Sequence, residues 1–577
     1  MIKIPFGVSD YEQMITQGYH YIDRTNYIEK MEGLGKKYLF FLRPRRFGKS
    51  LFLSSLQYYY GIEYKAKFEQ LFEKQYVGQN PTPLANSYMI LRLNFSAIDT
   101  ETNEKAYQGF FTRVRTTVEG LVRFYKDSFD PSDVEKIAST TTPQDALFAL
   151  YQIMHDRQVS AKIYLLIDEY DHFTNEILAF RFDEFKEIVG KNGWVRKFYE
   201  SLKIGADAGW IDRMFITGVT PITLDSLTSG FNNASDISMR AGFEQMLGFT
   251  KEEVEGILLG IGISKTELNG ISDDLKSWYD GYHFNQYAKK GIYNSEMVLY
   301  FADAYIERME YPSQLLDTNI ASDYSKIRSM FRIAHKEKEN IEVLREVLKN
   351  DELKAVLTQK YNFNEPWDRD KFISLLYYLG FLTIKGSDLE QTIFTIPNYV
   401  IKELYFQYFT RVTLEEANFD LYNLRVRDKV VELAKYNNIK PIIELTESTL
   451  TQLSAHHDRA YFNEGHVKSI FVSWFHSIGI YHIFSELEVE KGATQKGRID
   501  LLLTRRKPFV EETPYQFIFE LKYLKQSEVK QLKDKKKEAI AQLKAYLKDE
   551  KIKEMTDLKA YVVIFVVNKA TVVELKS

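Results

Sequence analysis

The sequence predicts an α/β multidomain protein, and three observations carry that expectation. Short, almost wholly apolar runs alternate with helical stretches over the first part of the chain; a mainly helical region follows; helices then flank strand-like runs again. Alternation of the first kind marks a parallel sheet covered by helices. The 577 residues are too many for one hydrophobic core, because a single core stops growing at about 250–300 residues. The expected divisions are 1–245, 246–440 and 441–577.

In the first division the expected strands are Tyr38–Leu42, Ile90–Phe95, Ile163–Ile167 and Met214–Thr217. Each is short and nearly all apolar, as expected for strands buried on both faces,. In the second, Lys371–Leu382 followed by Thr392–Ile396 reads as a helix and a small hairpin, the outline of a winged-helix element. In the third, the strands are Ile499–Leu503, Gln516–Glu520 and Ala560–Val567.

Composition narrows the chemistry. There is no cysteine, which excludes disulfides, thiolate metal sites and thiol catalysis and fits a cytoplasmic protein,. No apolar run reaches the roughly 18 residues a membrane helix requires, and the first residues lack the apolar core of a secretion signal,. The net charge of −4 argues against a surface that binds nucleic acid everywhere,. Contact with nucleic acid is therefore expected at a local patch or through a metal.

Arg43-Pro-Arg-Arg-Phe-Gly-Lys-Ser50 follows an expected strand and precedes the amphipathic run Leu51–Tyr60. A phosphate-binding loop needs inward backbone N–H groups, a helix N-terminus, a lysine for the phosphates and a hydroxyl for Mg²⁺. Gly48, Lys49 and Ser50 supply the end of that pattern, while Arg43 stands where its first glycine belongs. Downstream, Tyr164-Leu-Leu-Ile-Asp168-Glu169 is an apolar strand ending in two acids. Asp168 is the expected Mg²⁺ ligand beside Ser50, and Glu169 the group that polarises the attacking water. Thr217 ends a further strand and is expected beside the terminal phosphate. Arg45 and Arg46 fit contact with phosphate or nucleic acid, or pairing with acidic neighbours, equally well.

The loop, Ile22-Asp-Arg-Thr25, Thr217-Gly-Val-Thr-Pro221, Gly248-Phe-Thr-Lys-Glu-Glu-Val254 and Trp278-Tyr-Asp-Gly-Tyr-His-Phe284 run in an order that resembles the AAA-ATPase-like family. The resemblance implies a P-loop parallel sheet and bound ATP, and makes Arg43 family-typical. The chain departs from the family at Ile292-Tyr-Asn-Ser-Glu296, where a proline usually follows Tyr-Asn, and no role is assigned to that segment.

Near the end, Asp500 sits on one expected strand, and Glu520-Leu-Lys522 ends the next. Residues two apart on a strand share a face, so Glu520 and Lys522 project together while Leu521 turns away. Two carboxylates can hold a divalent cation through hard oxygens, with an amine beside them to orient or deprotonate water. Glu464 extends the apolar stripe Val467, Ile470, Phe471, Trp474 of a helix and is expected to turn inward as a third acid,. Gln542 and Tyr546 share a face of a later helix,. The set is similar to the PD-(D/E)XK nuclease superfamily. That likeness implies an α/β/α restriction-endonuclease-like domain, with Glu464, Asp500 and Glu520 on the metal, Lys522 catalytic and Gln542 secondary. Glu486, Glu488 and the run His456-His457-Asp458 read as surface groups.

The expected function is an ATP-binding and ATP-hydrolysing protein with a Mg²⁺- or Mn²⁺-dependent phosphodiesterase domain acting on nucleic acid, DNA ahead of RNA. The alternative is a nucleotide-dependent switch or scaffold whose nuclease-like domain binds nucleic acid without cleaving it. No membrane partner is expected, and an oligomer is compatible with the sequence.

Overall fold

Apolar runs without polar alternation fold as the interior strands of a parallel sheet. A computed structural model describes residues 1–190, 193–223, 234–317, 327–363, 365–416, 425–456, 464–476, 478–490 and 496–575. Strands β1 (Tyr38–Leu42), β2 (Tyr88–Asn94), β3 (Lys162–Asp168), β4 (Ile211–Gly218) and the two-residue β5 (Ser235–Asp236) lie in the order β2-β3-β4-β1-β5. Every neighbouring pair is parallel. The four expected strands are therefore present, each within three residues of its expected ends, and β5 is an addition too short to read from sequence.

Parallel pairing puts the carboxyl ends of β1, β3 and β4 at one edge, where ligands bind in open α/β sheets. Phe41 pairs with Thr217 and Leu42 with Gly218, and Asn94 pairs with Asp168. Helix α1 (Lys49–Tyr60) starts immediately after the loop from β1. Its cap is Gly48 at φ 92°, a left-handed conformation that suits glycine,. The helical region that follows includes Lys251–Gly260, Lys265–Tyr279 and α2 (Ser295–Arg308). Helix Arg369–Tyr378 precedes the hairpin of β7 (Thr383–Asp388) and β8 (Gln391–Thr395), and β6 (Leu353–Ala355) pairs antiparallel with β8.

Two compact units divide the chain: Met1–Ile306 with Leu316–Val347 and Asp351–Tyr399, and Glu307–Leu315 with Leu348–Asn350 and Val400–Ser577. All the elements above belong to the first, apart from the last two residues of α2. The second holds β9 (Tyr481–Glu490), β10 (Lys496–Arg505), β11 (Gln516–Leu524), β12 (Leu558–Val566) and β13 (Lys569–Leu575), in the order β13-β12-β11-β10-β9. β11 and β12 are parallel and the other pairs antiparallel. β9 and β13 add to the three expected strands; they are edge strands that mix polar with apolar residues.

Helix α3 (Glu464–His476) covers one face of this sheet, with Phe471 and Phe475 5.4 and 5.9 Å from the Phe519 ring. Helix α4 (Leu532–Tyr546) covers the other through Ala539, Leu543 and Tyr546, which pack on Leu502, Ile518, Val562 and Ile564. Each such buried apolar side chain contributes about 1.5–3 kcal/mol. The result is the expected α/β/α layering. His457, Asp458 and Asn463 lie outside the described residues, as do the side chains of His456, Glu486 and Glu488.

Candidate active sites

The first site is a cavity of about 420 Å³ at the carboxyl edge of the parallel sheet, within the range of small-ligand sites. The loop contributes Arg45, Arg46, Gly48, Lys49 and Ser50, and the end of β3 contributes Glu169 and His172. The segment Pro5–Ser9, His20–Ile22 and Leu247–Phe249 complete an apolar end.

The loop keeps its shape without its first glycine because Arg43 is an anchor. Its guanidinium is buried and donates to the carbonyls of Leu42 (2.8 Å), Ser238 (2.7 Å) and Phe243 (3.0 Å). It also lies 3.9 Å from the Phe284 ring centre, and burial lowers its pKa to about 10. Phe47 is buried edge-on against Tyr282 and Phe284, so the Trp278–Phe284 motif is the packing support of the loop. From the other side, Ser295 Oγ donates to the Arg46 carbonyl (3.1 Å) and Asn294 Nδ2 to that of Arg45 (3.3 Å). Ile292–Glu296, the segment without an assigned role, thus braces the phosphate loop. Arg46 lies 3.9 Å from Glu296.

Lys49 is buried, and its amine donates to the carbonyls of Arg43 (3.0 Å) and Pro44 (2.9 Å). Burial lowers its pKa, opposed by Glu169, Asp168 and Asp171. Ser50 is half-buried on the cavity wall. Asp168 is fully buried, and neither carboxylate oxygen has a hydrogen-bond partner among the described residues. An unpaired buried carboxylate is costly, so this one fits a cation or its hydration shell. Glu169 follows at φ 49° and faces the cavity; a non-glycine residue there is strained, which is characteristic of functional sites.

Thr217 is placed differently from expectation. Its hydroxyl is buried and donates to the Phe41 carbonyl (2.7 Å), and it does not line the cavity. Two contributors have no signature in the sequence. Asp171 accepts from the backbone of Val219 (3.0 Å) and Thr220 (2.6 Å), the Thr220 hydroxyl (2.7 Å) and Asn175 (2.6 Å), fastening the end of β4 to that of β3. His172 lines the cavity with its buried Nδ1 unpartnered among the described residues.

The second site is on the C-terminal sheet. The antiparallel ladder of β10 and β11 ends at the Leu501–Phe519 pair, and Asp500 and Glu520 are the next residue on each strand. Both are buried. Asp500 Oδ2 accepts from the Leu521 backbone (2.6 Å). Glu520 Oε1 lies 2.7 Å from the Lys522 amine, while its Oε2 is buried without a partner among the described residues. Burial and then the Asp500 charge push the Glu520 pKa up to about 7. For Lys522, burial acts downward, but Glu520 and Asp500 outweigh it and raise the pKa.

Glu464 departs from expectation. It is the first residue of α3 and 40% exposed, so the inward stripe begins at Val467, and Glu464 reaches the site from its rim. Lys468, one turn on, lies 3.1 Å from Glu464 Oε1 and 2.5 Å from Asp500 Oδ1. Among the described residues no three acidic or histidine side chains gather at metal-ligand spacing. Gln542 Oε1 is buried without a partner among the described residues.

These two arrangements define a nucleotide-binding fold and a nuclease-type fold in one chain. Residues 5–228 match the family described as Predicted AAA-ATPase, and residues 462–575 match the PD-(D/E)XK nuclease superfamily. The chain therefore joins an AAA-ATPase-like domain to a PD-(D/E)XK nuclease superfamily domain. It is 28% identical over 309 residues to an uncharacterised protein in the vnfD 5′ region of Azotobacter chroococcum mcd 1, covering 51% of this chain. The chain spans about half of that curated relative, 50% of its length. The Walker-type ATPase PABY2304 of Pyrococcus abyssi aligns with a TM-score of 0.41 at 11% identity, over 70% of this chain and 98% of its own. Among the described residues no helix is long and apolar enough to cross a membrane.

Proposed function

We propose that this chain is a cytoplasmic ATPase whose C-terminal domain is a metal-dependent nuclease, acting on DNA ahead of RNA, with domains at 1–245, 246–440 and 441–577. The observation that carries the nuclease reading is the buried Asp500–Glu520 pair, with one Glu520 oxygen unpartnered and the Lys522 amine beside it. Two like charges at such proximity need a cation or a shared proton. Asp500 and Glu520, with Glu464 at the rim, would hold Mg²⁺ or Mn²⁺. Lys522, kept protonated by its acidic neighbours in the metal-free protein, is suited to orient water and to offset charge developing on phosphate,.

In the ATPase domain the Gly48–Ser50 turn at the N-terminus of α1 would receive the phosphates, with Lys49 turning from the loop carbonyls to them. Ser50 and Asp168 would hold Mg²⁺. Glu169 would accept the proton of the attacking water. A divalent cation, when bound, neutralises phosphate charge in either site.

The test is incubation of the purified chain with labelled DNA and RNA, with Mg²⁺ or Mn²⁺, with and without ATP. Metal-dependent cleavage, faster on DNA, is expected. Binding without cleavage under every condition would favour the switch or scaffold instead.

A further inference from the structure

One oxygen of Asp500 is engaged by the backbone and the other by an ammonium. Asp500 Oδ2 is committed to the Leu521 backbone N–H at 2.6 Å, which leaves Oδ1. That oxygen already faces an ammonium, the Lys468 amine at 2.5 Å, which also reaches Glu464 Oε1 at 3.1 Å. Lys522 completes the pattern, 2.7 Å from Glu520 Oε1 and 3.9 Å from Glu464 Oε1. The five side chains alternate in sign as Asp500, Lys468, Glu464, Lys522 and Glu520. The acids are thus held by lysines between them, and no three of the described acids share metal-ligand spacing.

The two lysines differ in what they obstruct. Lys522 pairs with one oxygen of Glu520 and leaves the other, Oε2, unpartnered. Lys468 sits on the Asp500 oxygen that the Leu521 backbone does not engage. A hard divalent cation binds carboxylate at about 2.0–2.6 Å, so it and the ammonium contend for Oδ1, and their charges repel. We propose that Lys468 is an internal cation that competes with the divalent metal. It holds Asp500 and Glu464 together in the metal-free protein and must swing away on its flexible stem for metal to load. Its side chain, 19% exposed, has a path toward solvent,. Metal loading of the site is then an exchange of one cation for another.

This inference rests on the metal-dependent nuclease reading, and one experiment separates the two. Mn²⁺ is titrated calorimetrically into the nucleotide-free full-length chain as wild type, Lys468→Met, Lys468→Arg and Asp500→Ala. Circular dichroism establishes that each variant is folded. Heat absent in Asp500→Ala identifies this site. Lys468→Met keeps the stem and removes the charge, and should bind Mn²⁺ about tenfold more tightly or better, the scale of one charge-assisted hydrogen bond. Lys468→Arg keeps the charge and should stay near wild type. Equal or weaker binding by Lys468→Met overturns the competition, as does equal tightening by Lys468→Arg. If neither wild type nor Lys468→Met gives heat that Asp500→Ala abolishes, the metal-site reading itself fails.

Discussion

At the scale of single residues, three groups are held in states that ordinary burial would not favour: Lys49, Asp168 and Glu520. Lys49 is buried on two loop carbonyls, which fixes its amine at the loop that would receive phosphate. Lys49→Ala should weaken ATP binding by roughly 1.5–3 kcal/mol, the value of a hydrogen bond to a charged group, with the fold retained; calorimetry showing wild-type affinity would contradict this. Glu520 supplies a pH dependence. Its pKa is raised to about 7, so protonation stabilises the metal-free fold at low pH, and that stability fades as pH rises through about 7. A metal needs the carboxylate, so Mn²⁺ affinity should strengthen over the same window, by roughly tenfold from pH 6 to 8. A flat pH profile would show that Glu520 does not ligate the metal. The residue types of both sites are legible in the sequence because Gly-Lys-Ser and Glu-x-Lys are local patterns. Lys468 is not, because Glu464 and Lys468 have the spacing of a common surface ion pair on a helix,.

At the scale of elements, apolar strands and loop motifs can be read from sequence, but the braces between elements cannot. β1 to β4 are legible because burial on both faces demands unbroken apolar runs. β9 and β13, at sheet edges, carry mixed patterns and give no such signal. Asp171 and Tyr293–Glu296 act across space, and nothing near them in sequence announces their partners. The closeness of β3 to β4 has a direct test. A Cβ at Gly218 would lie 2.3 Å from Asp171 Oδ1 and 2.4 Å from the Tyr170 ring. Gly218→Ala should therefore cost about 1–3 kcal/mol, as overpacking does, and lower the ATPase-domain melting transition. An unchanged melt would mean that the end of β4 is loosely held.

At the scale of the whole molecule, the chain carries two hydrolase-type folds in two compact units. The division of labour predicts separable losses. Asp168→Asn should keep part of the nucleotide affinity while losing Mg²⁺-dependent turnover, and Glu169→Gln should bind ATP without hydrolysing it; phosphate release compared with equilibrium binding distinguishes them. Normal turnover in either variant would remove that residue from the proposed site. The most direct test of the central claim compares cleavage of end-labelled DNA in Mn²⁺ by wild type, Asp500→Ala and Lys522→Ala, purified identically, with ATP turnover measured on the same samples. The account predicts cleavage by wild type alone, at least a hundredfold above both variants on the scale of a lost charge-stabilising group, and equal ATP turnover in all three. Cleavage that persists in Asp500→Ala, or is absent from wild type under every metal and nucleotide condition, would contradict it.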